Sequence, residues 1–148
     1  MGETVAVDTQ LSILDAVYDI LVADSLLKTA MGGTVRCHPV QASPDTAFPF
    51  LIHRLDIGMA EPFPMREATY YIDIFSDTTN ITEVTNIRQR LINILDERTI
   101  TTTDVQSARF WLQTDGFIPE VETGIWHYTL MFTLRMYRKA EAAAIITR

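Results

Sequence analysis

The chain is 148 residues long, close to the commonest size for one domain, and 47% of its residues are hydrophobic against 21% charged, which predicts a packed core and excludes wholesale disorder. Twelve Lys and Arg against nineteen Asp and Glu leave a formal charge of −7, which argues against a free-standing nucleic-acid binder, because neutralising phosphates needs a basic surface. A single cysteine, Cys37, excludes an intramolecular disulfide and any zinc site built on several thiolates.

The composition predicts a small, acidic, soluble domain with the cytosol as its default compartment. No basic n-region opens the chain, and Ala6 breaks the myristoylation pattern that Gly2 begins. The longest apolar stretch, Ile13 to Ala23, is interrupted by Asp15 and Asp19 and is too short to span a bilayer, so no membrane partner is expected.

Helical spacing predicts a first helix from about Gln10 to Thr29, with Asp8 and Thr9 as capping oxygens and Gly32-Gly33 as a left-handed stop. Leu11, Leu14, Tyr18, Leu21 and Val22 form one apolar stripe, and Ile13, Val17 and Ile20 form a second beside it. A surface helix needs only one such stripe. The second therefore either lies between layers of its own domain or meets another subunit.

Thr34 to His38 reads as a short strand ended by Pro39, and Phe50 to Ile57 as the next. A third runs from Glu67 to Phe75, rich in Tyr, Ile and Thr, which suit a pleated surface. The connection between the last two, Gly58 to Arg66, is long for a hairpin and is stiffened by Pro62 and Pro64. It carries Met59, Phe63 and Met65, which a purely solvated loop does not need, so it reads as a contact-making loop.

Asn80-Ile81-Thr82-Glu83 has the form of a capping box, with Asn80 as N-cap and Glu83 three positions on. Ile81, Val84, Ile87, Leu91, Ile94 and Leu95 then mark one face of a helix reaching about Arg98. Gln106 to Thr114 and Ile125 to Arg138 predict two closing strands. In the second, Trp126, Tyr128, Leu130, Phe132, Leu134 and Met136 alternate with a more polar set, as in a half-buried antiparallel strand. The expected fold is α+β: a mostly antiparallel sheet of about five strands with two helices on one face, in a single domain over residues 1–138, followed by an Ala-rich tail over 139–148.

Chemistry-bearing patterns are sparse. His38, His53 and His127 fall in separate strands without ligand spacing, and Cys37 and His38 point to opposite strand faces, so neither a metal site nor a Cys–His nucleophile is expected. No phosphate loop, dinucleotide fingerprint or nucleophile elbow occurs. Asp73 stands opposite Tyr70, Ile72 and Ile74 and is expected on a solvated face or against an arginine of another subunit. This pattern predicts a non-enzymatic protein without cofactors.

The arrangement resembles the tail-terminator, or tail-completion, proteins of long-tailed bacteriophages. The likeness runs over about residues 11–138. It comprises the helix around Ile13-Leu14-Asp15-Ala16-Val17 ending in Leu26-Leu27, and the approach Thr46-Ala47-Phe48-Pro49-Phe50-Leu51-Ile52 to a strand. It continues with Tyr71-Ile72-Asp73-Ile74-Phe75-Ser76 leading to the helix Val84 to Leu95, and with the finish Trp126 to Arg135. The resemblance implies a virion protein at the tail–neck junction, assembled in the host cytoplasm. It implies a homo-oligomeric ring, usually a hexamer, that caps the tail tube protein, meets the head–tail connector or stopper protein, and lets DNA pass through its lumen without sequence-specific binding. The interface residues expected on this view are Met59, Phe63 and Met65 of the loop and Ile13, Val17 and Ile20 of the second helical stripe. The alternatives are another neck component, such as a head-completion or stopper protein, or a small-molecule-binding α+β oligomer.

Overall fold

A computed structural model describes residues 9–57, 65–103, 105–120 and 124–138. In chain order the elements are α1 (Thr9–Ala23), α2 (Ser25–Ala30), β1 (Cys37–Pro39), β2 (Phe50–Ile57), β3 (Met65–Ser76), α3 (Thr82–Leu95), β4 (Thr99–Ile100), β5 (Val105–Phe117) and β6 (Trp126–Arg138). The fold is α+β, as expected, with one more helix and one more strand than the sequence pattern predicts.

The six strands form one sheet in the order β1-β2-β3-β6-β5-β4. All neighbours are antiparallel except β1, which runs parallel to β2 through Cys37 opposite Leu51. Three residues are too few to display an alternation, so the parallel pairing of β1 is invisible in the sequence. Register follows the pleat. Ala68, Tyr70, Ile72, Ile74 and Ser76 of β3 share the buried face with Tyr128, Leu130, Phe132, Leu134 and Met136 of β6. In β5 the register shifts between Val105 and Ser107 and again between Leu112 and Thr114, irregularities of the kind that bend and twist a long strand. At the centre, Tyr70, Phe110 and Phe132 are fully buried, and their ring centroids lie 5.6–6.2 Å apart in edge-to-face and tilted contacts.

The single first helix predicted from the pattern is in fact two. Asp24 breaks it: its carboxylate accepts the Leu27 amide at 2.7 Å and so caps α2. A short acidic side chain competes for backbone amides in this way, and so favours a cap over a helix interior. Arg90 of α3 holds the same carboxylate bidentately, at 3.0 and 2.6 Å, which ties the break to the third helix. The stop at Gly32 and Gly33 forms as predicted, with φ of +83° and +112°, a region only glycine occupies without strain.

Helix α3 buries Val84, Ile87, Leu91, Ile94 and Leu95. Ile81 lies just before the helix and is exposed, so the predicted face begins three residues later than expected. The capping box is also altered. Asn80 Oδ1 accepts the Thr82 amide at 2.9 Å, but Glu83 turns to the end of β3 and accepts the Ser76 hydroxyl at 2.7 Å. Ser76 is fully buried, and a buried hydroxyl without a partner is costly; satisfying it draws Glu83 away from Asn80.

Candidate interaction surfaces

Both helix α1 and helix α3 pack on the same face of the sheet, α1 against β2 and β5 and α3 against β3, β5 and β6. Among the described residues the molecule is therefore two layers, with helices on one side and the second sheet face on the other. No described element covers that second face.

The buried arc of α1 holds Ile13, Leu14, Val17 and Leu21. At about 100° per residue this arc straddles the boundary between the two predicted stripes. The expectation that Ile13 and Val17 contact another subunit is corrected accordingly: both are fully enclosed by the chain's own core. Ile20 is half-buried and lines an open groove of about 360 Å³ with Asp19, Ala23, Asp24 and Arg98. The apolar side chains that α1 does present outward are Leu11 (54% exposed), Tyr18 (42%) and Val22 (37%). Their signal was in the sequence as i, i+7, i+11 spacing, but Leu14 and Leu21 share that stripe and masked it. Of the loop residues, Met65 opens β3 half-buried, opposite Tyr137, whereas Met59 and Phe63 lie outside the described residues.

On the sheet's bare face the register builds rows across strands. At one end Phe50, Phe75 and His127 sit side by side, with ring centroids 4.9 and 4.1 Å apart and nearly parallel planes. His127 Nδ1 is 2.6 Å from Glu120, and its Nε2 lies 3.6 Å from Asp73. Burial alone would lower the pKa of His127, but the carboxylates of Asp73 and Glu120 outweigh it and hold it above the ordinary value. Asp73, expected either in solvent or against an arginine of another subunit, faces a histidine of its own chain.

Further along the same face Arg54 lies over the Tyr71 ring at 3.9 Å, and Arg109 over Trp111 at 5.4 Å. The carboxylates here are engaged: Asp56 with Arg54 and Glu67 with Arg135. Arg109 stands directly opposite Arg135 across β5 and β6, and donates to the Thr99 hydroxyl at 3.3 Å.

The remaining polar groups hold elements together. Arg88 of α3 donates to Asp115 at 2.6 Å and to the Tyr128 hydroxyl at 2.8 Å, and that hydroxyl donates to Asp115 at 2.7 Å. Burial would raise the Asp115 pKa, but Tyr128 and Arg88 together bring it below the usual carboxylate range. In the core, His53 Nδ1 lies 2.7 Å from the Tyr70 hydroxyl, and burial pushes the imidazole down to about 4. Burial also pushes the Cys37 thiol up to about 12, which keeps it protonated and a poor nucleophile. Among the described residues no three His, Cys, Asp or Glu side chains gather into a metal-binding group. No helix among them is long and apolar enough to cross a membrane.

The sequence matches no family model and no curated protein. In three dimensions the chain is similar to a protein chain in the virion of a native gene transfer agent particle. The TM-score is 0.71 at 15% sequence identity, and the match covers 90% of this chain and 99% of that one. At that identity the likeness defines the class of fold, a two-layer α+β domain matched along nearly its whole length.

Proposed function

We propose that the protein is a structural subunit of a phage-like virion, and that it forms a ring, six-membered in the closest functional reading, that caps a tail tube and joins it to the head connector. The observation that carries this reading is the likeness in fold to a chain in a virion, matched over 90% of this chain and 99% of that one. The resemblance of the residue patterns to those of tail terminators points the same way. In such a ring, subunits with a net charge of −7 each would keep DNA sliding in the lumen, because like charges repel. DNA and the head connector are then transient and docked partners respectively, and the protein acts by assembly, without a catalytic step.

The test is imaging of purified protein by negative stain, alone and after addition of isolated tail tubes. Rings with a central hole, near six times 16.8 kDa by light scattering, or caps at one end of each tube, are the expected result. A compact dimer that leaves tube ends bare and is stabilised by a small metabolite in a thermal-shift panel would overturn the reading.

A further inference from the structure

The two edges of the sheet are stepped, and the steps are complementary. On one edge β1 flanks β2 only from Leu51 to His53, and among the described residues no strand lies beside 54–57. On the other edge β4 flanks β5 only at Ala108 and Arg109. The segment before β4 serves the next residues: Phe110 exchanges main-chain bonds with Glu97 and Arg98, and the Leu112 amide donates to Asp96. Over 114–117 that edge has no strand beside it among the described residues. The two open stretches lie in opposite halves of the sheet's length, so each gap stands at the height where the other edge carries its short strand. Ile74 of β3 fixes the level: through β2 it leads to Leu51 and then Cys37, and through β6 to Tyr128 and then Phe117.

At that level main-chain groups point outward on both edges. The Leu51 amide donates to the Arg36 carbonyl, so Leu51 bonds the residues that flank Cys37, and the N–H and C=O of Cys37 face away from β2. The Ile118 amide donates to the His127 carbonyl, and successive residues of an antiparallel strand alternate, so the N–H and C=O of Phe117 face away from β6. No described group bonds to either residue's main chain on the outward side. Exposed apolar side chains stand beside both: Val40 (66% exposed) just past β1, and Phe117 (45%) and Ile118 (37%) at the end of β5. The open stretch of β5 has no Lys, Arg or Pro to discourage pairing, and its one charge, Asp115, is turned to Arg88 and Tyr128.

We infer that β1 of a second copy of the same chain fills the open edge of β5, pairing Cys37 with Phe117 and continuing the sheet from copy to copy. The directions agree. Across the sheet β2 runs antiparallel to β5, and β1 runs parallel to β2, so a copy set alongside with its helices on the same side presents β1 antiparallel to β5. The heights agree as well, because segment 96–100 of the first copy then stands beside the open stretch of β2 in the second. Pairing satisfies the outward main-chain groups and removes apolar surface on both edges from water. One copy uses β5 and the next uses β1, so the contact is head-to-tail and closes into a ring when the rotation between copies permits. The inference rests on the ring reading and supplies its interface.

The experiment compares two full-length variants at one position. The Phe117 amide takes no part in the pairing with β6, so Phe117→Pro removes only the outward donor, whereas Phe117→Leu keeps it. Circular dichroism should show both folded. Free protein is sized by sedimentation, and tube-bound protein is imaged by negative stain. Wild type and Phe117→Leu are expected near six times 16.8 kDa, or as caps on tail tubes, and Phe117→Pro at 16.8 kDa with tube ends bare. A second measurement leaves the edge intact and decides the matter should Phe117→Pro fail to fold. Opposed Cα atoms in such a pair lie about 5.5 Å apart, within disulfide reach. By register both side chains lie on the helix-covered side of the sheet, since Leu51 and Tyr128 opposite them are buried. Oxidised Phe117→Cys should therefore run on denaturing gels as a ladder beyond the dimer, and adding Cys37→Ser should stop the ladder at the dimer.

Phe117→Pro that folds and keeps the wild-type mass, Phe117→Leu that dissociates as well, or oxidised Phe117→Cys that never passes the dimer would each overturn this joint while leaving the ring and its capping role standing. A wild-type chain that stays monomeric and leaves tube ends bare would overturn the ring reading and the joint with it, so the two failures are distinguishable.

Discussion

His53 makes the fold acid-sensitive in a way that can be calculated. The imidazole is 2% exposed, its Nδ1 is spent on the Tyr70 hydroxyl, and its ring meets Tyr70 edge-on at 5.7 Å. Burial holds its pKa at about 4, against the ordinary 6.5 of the unfolded chain. Above pH 6.5 the ring is neutral in both states and the fold incurs no penalty. As the pH falls, the unfolded chain takes up the proton first, so stability is lost progressively between 6.5 and about 4, and below that the loss is complete. At about 1.4 kcal/mol per pH unit the loss amounts to roughly 3 kcal/mol, a large share of a marginal total. Urea unfolding at intervals from pH 8 to pH 4 should show it. In His53→Asn, which keeps a polar atom near Nδ1 but cannot titrate, stability at pH 8 should fall while the slope below pH 6.5 flattens by about that amount. Parallel curves for the two proteins would refute the argument, because acid sensitivity would then come from other groups.

Three further outcomes are expected. Leu91→Ala, at a fully buried position on α3, should cost about 2–5 kcal/mol in denaturant unfolding; a loss well under 1 kcal/mol would mean the helix face collapses around the gap. Asp24→Ala removes both the α2 cap and the partner of Arg90, and should cost about 1–2 kcal/mol, more than Arg90→Ala, whose part-exposed ion pair is worth at most about 1 kcal/mol; an equal loss in both would show that the cap contributes nothing. His127, with its pKa raised between Asp73 and Glu120, contributes stability that is present below pH 6.5 and lost as pH rises through its elevated value. His127→Gln should therefore lower stability more at pH 5.5 than at pH 9, and the reverse order would show that the carboxylates do not hold the charged form.

The strands were legible because their side chains alternate over many residues: β2 has the predicted bounds, and β3 and β6 lie within two residues of them. Long alternation leaves only one way to bury Tyr70, Ile72, Leu130 and Phe132 together. What escaped the pattern depended on a single long-range partner. The break at Asp24 needs Arg90, 66 residues away, to make a cap preferable to a continuous helix, and the turn of Glu83 toward Ser76 needs the buried end of β3. The outward face of α1 was misassigned for a related reason. Two apolar stripes side by side fix that a helix is mostly buried, but not where along the circumference its neighbours stop.

The distribution of polar groups also bears on the class of function. A site for small molecules needs several polar side chains converging on a concavity with their bonding capacity free. Here Asp24, in the open groove, is occupied by the Leu27 amide and by Arg90, and the Arg88, Asp115 and Tyr128 cluster is closed on itself. Among the described residues Asp15 and Arg109 form no ion pair, and they lie on opposite sides of the molecule beside the exposed rings of Tyr18 and Trp111. Exposed aromatic and charged surface of that kind gains little from a metabolite and much from another large surface, where area and charge act together. That distribution fits the structural role proposed above: the core and the internal ion pairs hold the unit together, and exposed aromatic rings are left for contact with another large surface.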